Sequence, residues 1–121
     1  KKSCFVVNTR RDFVYVEDLA EVVIKAVDGT GHGTFHVSSG ADISIKEMWD
    51  ATIKALDIKY PVAENERHPD DAPSILLDPS ETTNTFSWKA RTELETGVKK
   101  AIEYYKEYGL EETFTHLVGH D

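Results

Sequence analysis

The stretch Arg10-Arg11-Asp12-Phe13-Val14-Tyr15-Val16-Glu17-Asp18-Leu19-Ala20 constrains this chain more than any other. Two cations and a carboxylate stand directly before an apolar, β-prone run. That run passes at once into an amphipathic pattern. A chain with a net charge of −8 repels anions as a whole, so two arginines at a strand edge point to a local anion site. Guanidinium forks match phosphate oxygens bidentately, which gives Arg10 and Arg11 one reading as a phosphate clamp. The other reading is a surface pair bridged to Asp12.

The spacing of Leu19, Val22, Val23, Ala26 and Val27 predicts a first helix over residues 17–28, with Gly29 able to end it. Ser44 and Glu47 form a capping-box pattern ahead of Ile45, Met48, Trp49, Thr52, Ile53 and Leu56, which line one face of a second helix. Asp78-Pro79 fits a cap followed by proline at the first helical position. Thr92 and Glu95 give another capping box before Leu94, Val98, Ala101, Ile102 and Tyr105. These begin the longest helix, which stops near Gly109. Short strands are expected over residues 5–7, 13–16, 34–37, 60–62 and 75–77, and a polar loop with two prolines over residues 64–73. Short strands alternating with about four helices make an α/β or α+β fold, with open strand edges and uncovered helix faces.

Composition removes several classes of function. The chain has 121 residues, of which 40% are hydrophobic and 30% charged, so it holds one ordinary domain core. The 22 acidic residues outnumber the 14 basic ones, whereas a nucleic-acid binder needs a basic stripe. No apolar run approaches the roughly 20 residues that span a bilayer. The single cysteine, Cys4, cannot form an internal disulfide, so a reducing, cytoplasmic compartment is expected.

Three further groups invite a site. Gly29-Thr30-Gly31-His32-Gly33 looks like a dinucleotide loop, but a helix precedes it and a strand is expected after it. That is the reverse of the strand-to-helix order in which pyrophosphate meets a helix N-terminus. No cofactor contact is assigned there. In Arg67-His68-Pro69-Asp70-Asp71-Ala72-Pro73, Asp71 could hold a sugar hydroxyl and Arg67 or His68 a phosphate; the alternative is a solvated loop. His116 and His120 are spaced as a helical metal pair, but Gly119 weakens a helix there, and no metal site is assigned. Trp49 and Trp88 lie beside apolar periodic positions and are expected in the core.

Three motifs carry a resemblance to a known family. They are Arg11-Asp12-Phe13-Val14-Tyr15-Val16 with Asp18-Leu19-Ala20, then Phe35-His36-Val37-Ser38-Ser39-Gly40, then Phe86-Ser87-Trp88 with Thr92, Leu94 and Gly97. In this order they resemble the C-terminal part of NAD-dependent nucleotide-sugar epimerases and dehydratases, the extended short-chain dehydrogenase/reductase family. The likeness runs to about Tyr108, and its style is closest to bacterial UDP-sugar epimerases of surface-polysaccharide pathways.

The resemblance implies that Arg11 contacts the pyrophosphate of a nucleotide sugar. Asp71 matches the acid of the family's R-P-G-D-x-P loop. There His68 stands where the family has arginine and Asp70 where it has glycine, while Arg67 lies one place early. Either Arg67 reaches the phosphate from its shifted position, or His68 substitutes. The usual proline after Trp88 is replaced by Ala90. No tyrosine here is followed four places on by lysine, so the family's catalytic pair, like its NAD loop, is expected upstream of this chain.

The resemblance therefore implies that residues 1–121 are a C-terminal nucleotide-sugar-binding portion, with most of the Rossmann core missing. NAD would be bound mainly by a preceding domain, and the full-length enzyme would be a homodimer. A UDP-glucose 4-epimerase-like enzyme is the leading expectation. A dTDP-glucose 4,6-dehydratase, a UDP-glucuronate decarboxylase and a stand-alone non-catalytic binding module are the alternatives. No nucleic-acid or membrane partner is expected.

Overall fold

Local capping and periodicity locate the helices to within a residue or two. The computed structural model describes residues 3–110. In chain order its elements are β1 (Cys4–Val7), β2 (Arg10–Arg11), α1 (Val16–Val27), β3 (Ile43–Ser44), α2 (Ile45–Leu56), β4 (Val62–Asn65), β5 (Ser74–Ile75), α3 (Ser80–Phe86) and α4 (Leu94–Tyr108). The four helices confirm the mixed α/β reading. His116 and His120 lie outside the described residues. Among the described residues no helix is long and apolar enough to cross a membrane.

The Ser44 capping box forms in full. Glu47 N donates to Ser44 Oγ at 3.0 Å, and Ser44 N donates to Glu47 Oε2 at 2.7 Å. Both bonds satisfy amides that α2 itself leaves without partners. The expected start of α3 shifts by one residue: Pro79 is the N-cap rather than the first helical residue and Ser80 begins the helix, while Asp78 Oδ1 still accepts from Ser80 N at 3.0 Å and from Ser80 Oγ at 2.5 Å.

The expected Thr92–Glu95 box does not form. The N-cap of α4 is Glu93, without a side-chain cap, and Thr92 N donates to Asp18 Oδ2 at 2.9 Å instead. A carboxylate from another helix has taken the Thr92 amide that Glu95 would have received.

Strand propensity misleads in three places. Residues 13–15 are β-prone but irregular. The ladder partners of β2 run out after Arg11, and beyond the single bond from Asp12 N to Ile75 O, at 3.1 Å, the run has no strand to pair with. Residues 34–37 also form no strand; Phe35 and Val37 pack instead against a core of Val22, Phe86 and Trp88. The strand expected at 60–62 forms later, at Val62–Asn65, and takes in part of the expected loop. Strand preference reports fit to a pleated neighbour rather than an intrinsic backbone choice.

Two small sheets result. β1 pairs with β4 in parallel, from Cys4 opposite Val62 to Val7 opposite Asn65. β2 is the middle strand of the other, antiparallel to β3 and parallel to β5. α2 packs on β1 and along α4.

The apolar core centres on Trp88, which is 2% exposed. Its indole Nε1 donates to Asp18 O at 2.9 Å. The Asp18 carboxylate also accepts from Arg91 N at 3.2 Å. One residue of α1 thus binds both the core tryptophan and the chain leading into α4. Thr82, with no exposed surface, donates its hydroxyl to His36 O at 2.5 Å, and Lys25 Nζ donates to Phe86 O at 2.9 Å. On the opposite face of α1, Val16, Val23, Ile24 and Val27 remain exposed.

The glycine-rich turn is a packing device. Gly31 has a φ of +79°, and a Cβ there would fall 2.8 Å from Phe86 Cζ. Gly29, with a φ of +92°, has nothing within 4 Å of such a Cβ. In the intact protein, Gly29→Ala is expected to cost about 1–2 kcal/mol of left-handed backbone strain. Gly31→Ala adds the displacement of a buried ring, for a total of roughly 2–5 kcal/mol. Urea unfolding of both variants checks this, and equal losses would remove the packing role.

Burial pushes the Asp18 carboxyl up. The Thr92 amide and hydroxyl, the Arg91 amide and the Lys100 charge together outweigh that effect and hold it below the usual 3.8. A depressed carboxylate contributes stability that is complete above its unfolded pKa and lost as pH falls through its folded pKa. Asp18→Asn is therefore expected to destabilise the protein at neutral pH. The gap to the native protein should close as pH falls below about 3.8, where the native carboxylate takes up its proton. Unfolding free energies measured from pH 7 to pH 2 test this; a pH-independent gap would contradict it.

Candidate functional site

Alternation along a strand sends neighbouring side chains to opposite faces, and β2 separates its two arginines in this way. Arg10 turns to β3 and α2. Its Nε donates to Asp42 Oδ1 at 3.1 Å, its Nη2 to Asp42 O at 3.1 Å, and its Nη1 is 3.6 Å from Glu47 Oε2. Asp42 also accepts from Ser74 Oγ at 2.6 Å. The Ser74 hydroxyl first, and the Arg10 guanidinium after it, hold the Asp42 carboxyl below its ordinary value. Arg10 is thus bound within the fold, and neither expectation for the pair describes it. It does not bridge to Asp12, whose Oδ1 accepts from Ser39 N at 2.8 Å and Ser39 Oγ at 2.6 Å, and whose Oδ2 accepts from Gly40 N at 3.1 Å.

Arg11 turns to the loop between β4 and β5. Its Nη2 donates to Asp71 Oδ1 at 2.8 Å, and its Nη1 to Ala72 O at 3.0 Å and to Arg10 O at 2.7 Å. The cause is the sheet. Arg10 N donates to Pro73 O at 2.9 Å and Arg11 lies opposite Ile75, so the residues just before β5 come back beside β2. The Arg11 side chain is 24% exposed and that of Asp71 43%. These three bonds use at most three of the five guanidinium N–H donors. The site therefore combines a fixed cation with spare donors and a fixed carboxylate with a spare oxygen.

The loop itself closes on a turn. Asp71 N donates to His68 O at 3.0 Å, with Pro69 following His68, as suits the second position of a β-turn. Half-buried Arg67 folds over this turn. Its Nη1 donates to His68 O at 3.1 Å, to Pro69 O at 3.4 Å and, at closest range, to Asp71 O. His68 is exposed, and its Nδ1 accepts from Asp70 N at 3.2 Å. In the neutral ring that acceptor role leaves the proton on Nε2.

The four residues singled out in sequence thus gather in one place: Arg11 on Asp71, Arg67 on the Asp71 carbonyl, and His68 on the same turn. Sequence reasoning missed what holds the neighbourhood in shape, namely Asp12 on the 39–40 turn and Asp18 on the 91–92 segment. Acidic residues at a strand end and in a first helical turn are too common to signal partners that far along the chain. Beside Phe13 and Tyr15 lies a cavity of about 300 Å³, walled by Ile43, Met48, Leu94 and Val98. Among the described residues no cluster of three His, Cys, Asp or Glu side chains could hold a metal. The Gly29–Gly33 turn does not suit a dinucleotide either, since the ring of Phe86 lies against Gly31 where a pyrophosphate would need backbone access.

No family model matches the chain. It is 50% identical to the Bordetella bronchiseptica enzyme WbmH, solved in complex with NAD+, with a TM-score of 0.82 over 90% of this chain and 37% of that one. The enzyme WbmG of the same organism, in complex with NAD and UDP, is 32% identical, with a TM-score of 0.83 over 98% of this chain and 39% of its own. UDP-glucose 4-epimerase of Caenorhabditis elegans is 32% identical over 91 residues, 70% of this chain and 26% of that protein. The chain thus spans between about a quarter and two-fifths of the length of these relatives. With its three motifs, its mixed α/β fold and these likenesses, the chain belongs to the NAD-dependent nucleotide-sugar epimerases and dehydratases of the extended short-chain dehydrogenase/reductase family, and it matches their C-terminal part.

Proposed function

We propose that this chain is the nucleotide-sugar-binding portion of a UDP-glucose 4-epimerase-like enzyme, gripping the UDP pyrophosphate and shaping the sugar pocket. The observation that carries this reading is the ion pair between Arg11 and Asp71, two motif residues far apart in sequence. An ion pair this exposed contributes at most about 1 kcal/mol to stability. A binding role is the better account of why a cation with spare donors is held so firmly in a strongly acidic chain. Arg11 donates to the pyrophosphate. Asp71 orients Arg11 and accepts from a ribose hydroxyl. His68 adds a donor through Nε2 where the family uses arginine. The UDP bound to WbmG, at 32% identity, supports uracil as the base.

In this reading the tyrosine–lysine pair and the NAD site lie in a preceding Rossmann domain. The exposed stripe of Val16, Val23, Ile24 and Val27 on α1 supports such a domain, because a face that apolar costs free energy in water and suits a packed neighbour. NAD held there would supply the hydride acceptor and donor for the sugar, and the tyrosine of that domain would take and return the hydroxyl proton. The residues of this chain hold the nucleotide while the keto sugar turns. Binding energy far from the reacting carbon orients it. The full-length enzyme is a cytoplasmic homodimer in this reading, and the lone Cys4 accords with a reducing compartment.

Calorimetric titration of the full-length protein with UDP and with GDP tests the proposal. Micromolar UDP binding and weaker GDP binding are expected. Arg11→Ala removes a charge-assisted contact worth about 1.5–3 kcal/mol, so the dissociation constant should rise about 10- to 150-fold. An unchanged constant would take Arg11 out of the site.

A further inference from the structure

Arg67 looks from sequence like a candidate phosphate ligand, yet its guanidinium is directed at the protein's own backbone. One nitrogen, Nη1, meets the carbonyls of His68, Pro69 and Asp71. Carbonyl dipoles that converge on one point repel one another, and a cation at that point removes the repulsion. The same turn is closed by Asp71 N on His68 O at 3.0 Å and stiffened by Pro69. Asp71 is therefore held at both ends, its carbonyl by Arg67 and its carboxylate by Arg11 at 2.8 Å.

We propose that Arg67 is a positioning residue for the nucleotide-sugar site. It sets the 68–71 turn so that the Asp71 carboxylate meets Arg11, and it leaves the phosphate to Arg11 and His68. This rests on the reading of Arg11 and Asp71 as the nucleotide grip. It also accounts for the cation lying one place before the expected position. At residue 67 the side chain reaches back over the turn that follows it, whereas the exposed side chain at 68 belongs to the turn itself. Arg67 further neutralises a turn that carries two adjacent acids, Asp70 and Asp71, and would otherwise repel an incoming phosphate.

The test uses the full-length protein with UDP as the probe and two readouts. Amide exchange measured by NMR reports on the turn without nucleotide. Arg67→Ala should speed exchange at Asp71 N, and Arg67→Lys, which keeps the charge on a shorter arm, should restore it in part. Titration reports on the site. Arg67→Ala should weaken UDP binding about tenfold, the scale of one charge-assisted contact. In an Asp71→Asn background the same change should cost less than about twofold more, because the path through Asp71 is already broken.

Unaltered exchange at Asp71, or an equal loss of affinity in both backgrounds, would overturn the proposal; the second result would make Arg67 a direct phosphate ligand. If UDP affinity ignores Arg11→Ala and Asp71→Asn while Arg67→Ala still speeds exchange, the nucleotide reading fails and the role of Arg67 in the turn stands.

Discussion

The pairing of β2 is the constraint on which the site depends. This strand is two residues long, yet its backbone joins segments from three distant parts of the chain. With β3 on one side and β5 on the other, it brings Asp42 to Arg10 and Asp71 to Arg11. The ion pairs follow from the ladder rather than create it. Each is too exposed to contribute more than about 1 kcal/mol, whereas an amide left buried without a partner costs about 1–3 kcal/mol. The backbone bonds fix the geometry, and the side chains select what that geometry can hold.

A second constraint acts through Asp18. Its carbonyl receives the Trp88 indole and its carboxylate receives two consecutive amides, so α1, the core and the approach to α4 meet at one residue. Hydrogen bonds to a charged acceptor are the stronger kind, and here they fix the two amides that lead into α4. Asp12 does the same on a smaller scale, fixing the 39–40 turn immediately beside Arg11. Two carboxylates that serve backbone amides thus follow Arg11 in the chain, while Arg11 itself faces the loop.

Helices were legible because their signals are local. Ser44 and Glu47 satisfy each other's amides across three residues, and the spacing of Leu19, Val22, Val23, Ala26 and Val27 follows the helical repeat directly. Strands were less legible because a strand exists only with its partner. Phe13, Val14 and Tyr15 have strong strand preference and form none, while Glu64 and Asn65 have little and lie in β4. The Thr92–Glu95 pattern failed for a related reason: a distant carboxylate competed for the Thr92 amide and won. The candidate residues Arg11, Arg67, His68 and Asp71 could be named in sequence through their chemistry and motif positions. The division of labour between Arg10 and Arg11 could not, since it depends on which strand lies against each face.

By itself the sequence determined the helices, the acidic surface, the motifs that mark the family, and the residue types able to meet a phosphate or a hydroxyl. Those properties depend on near neighbours, on total composition, or on side-chain chemistry that does not change with the fold. Only the tertiary structure decided that Arg10 is bound within the fold, that Arg11 faces Asp71, that Arg67 turns to the backbone, and that Asp18 joins α1 to the segment before α4. Except for Arg67, whose contacts lie within four residues, each of these is a contact across tens of residues. Its existence is set by backbone pairing and burial, which no local pattern of side chains records.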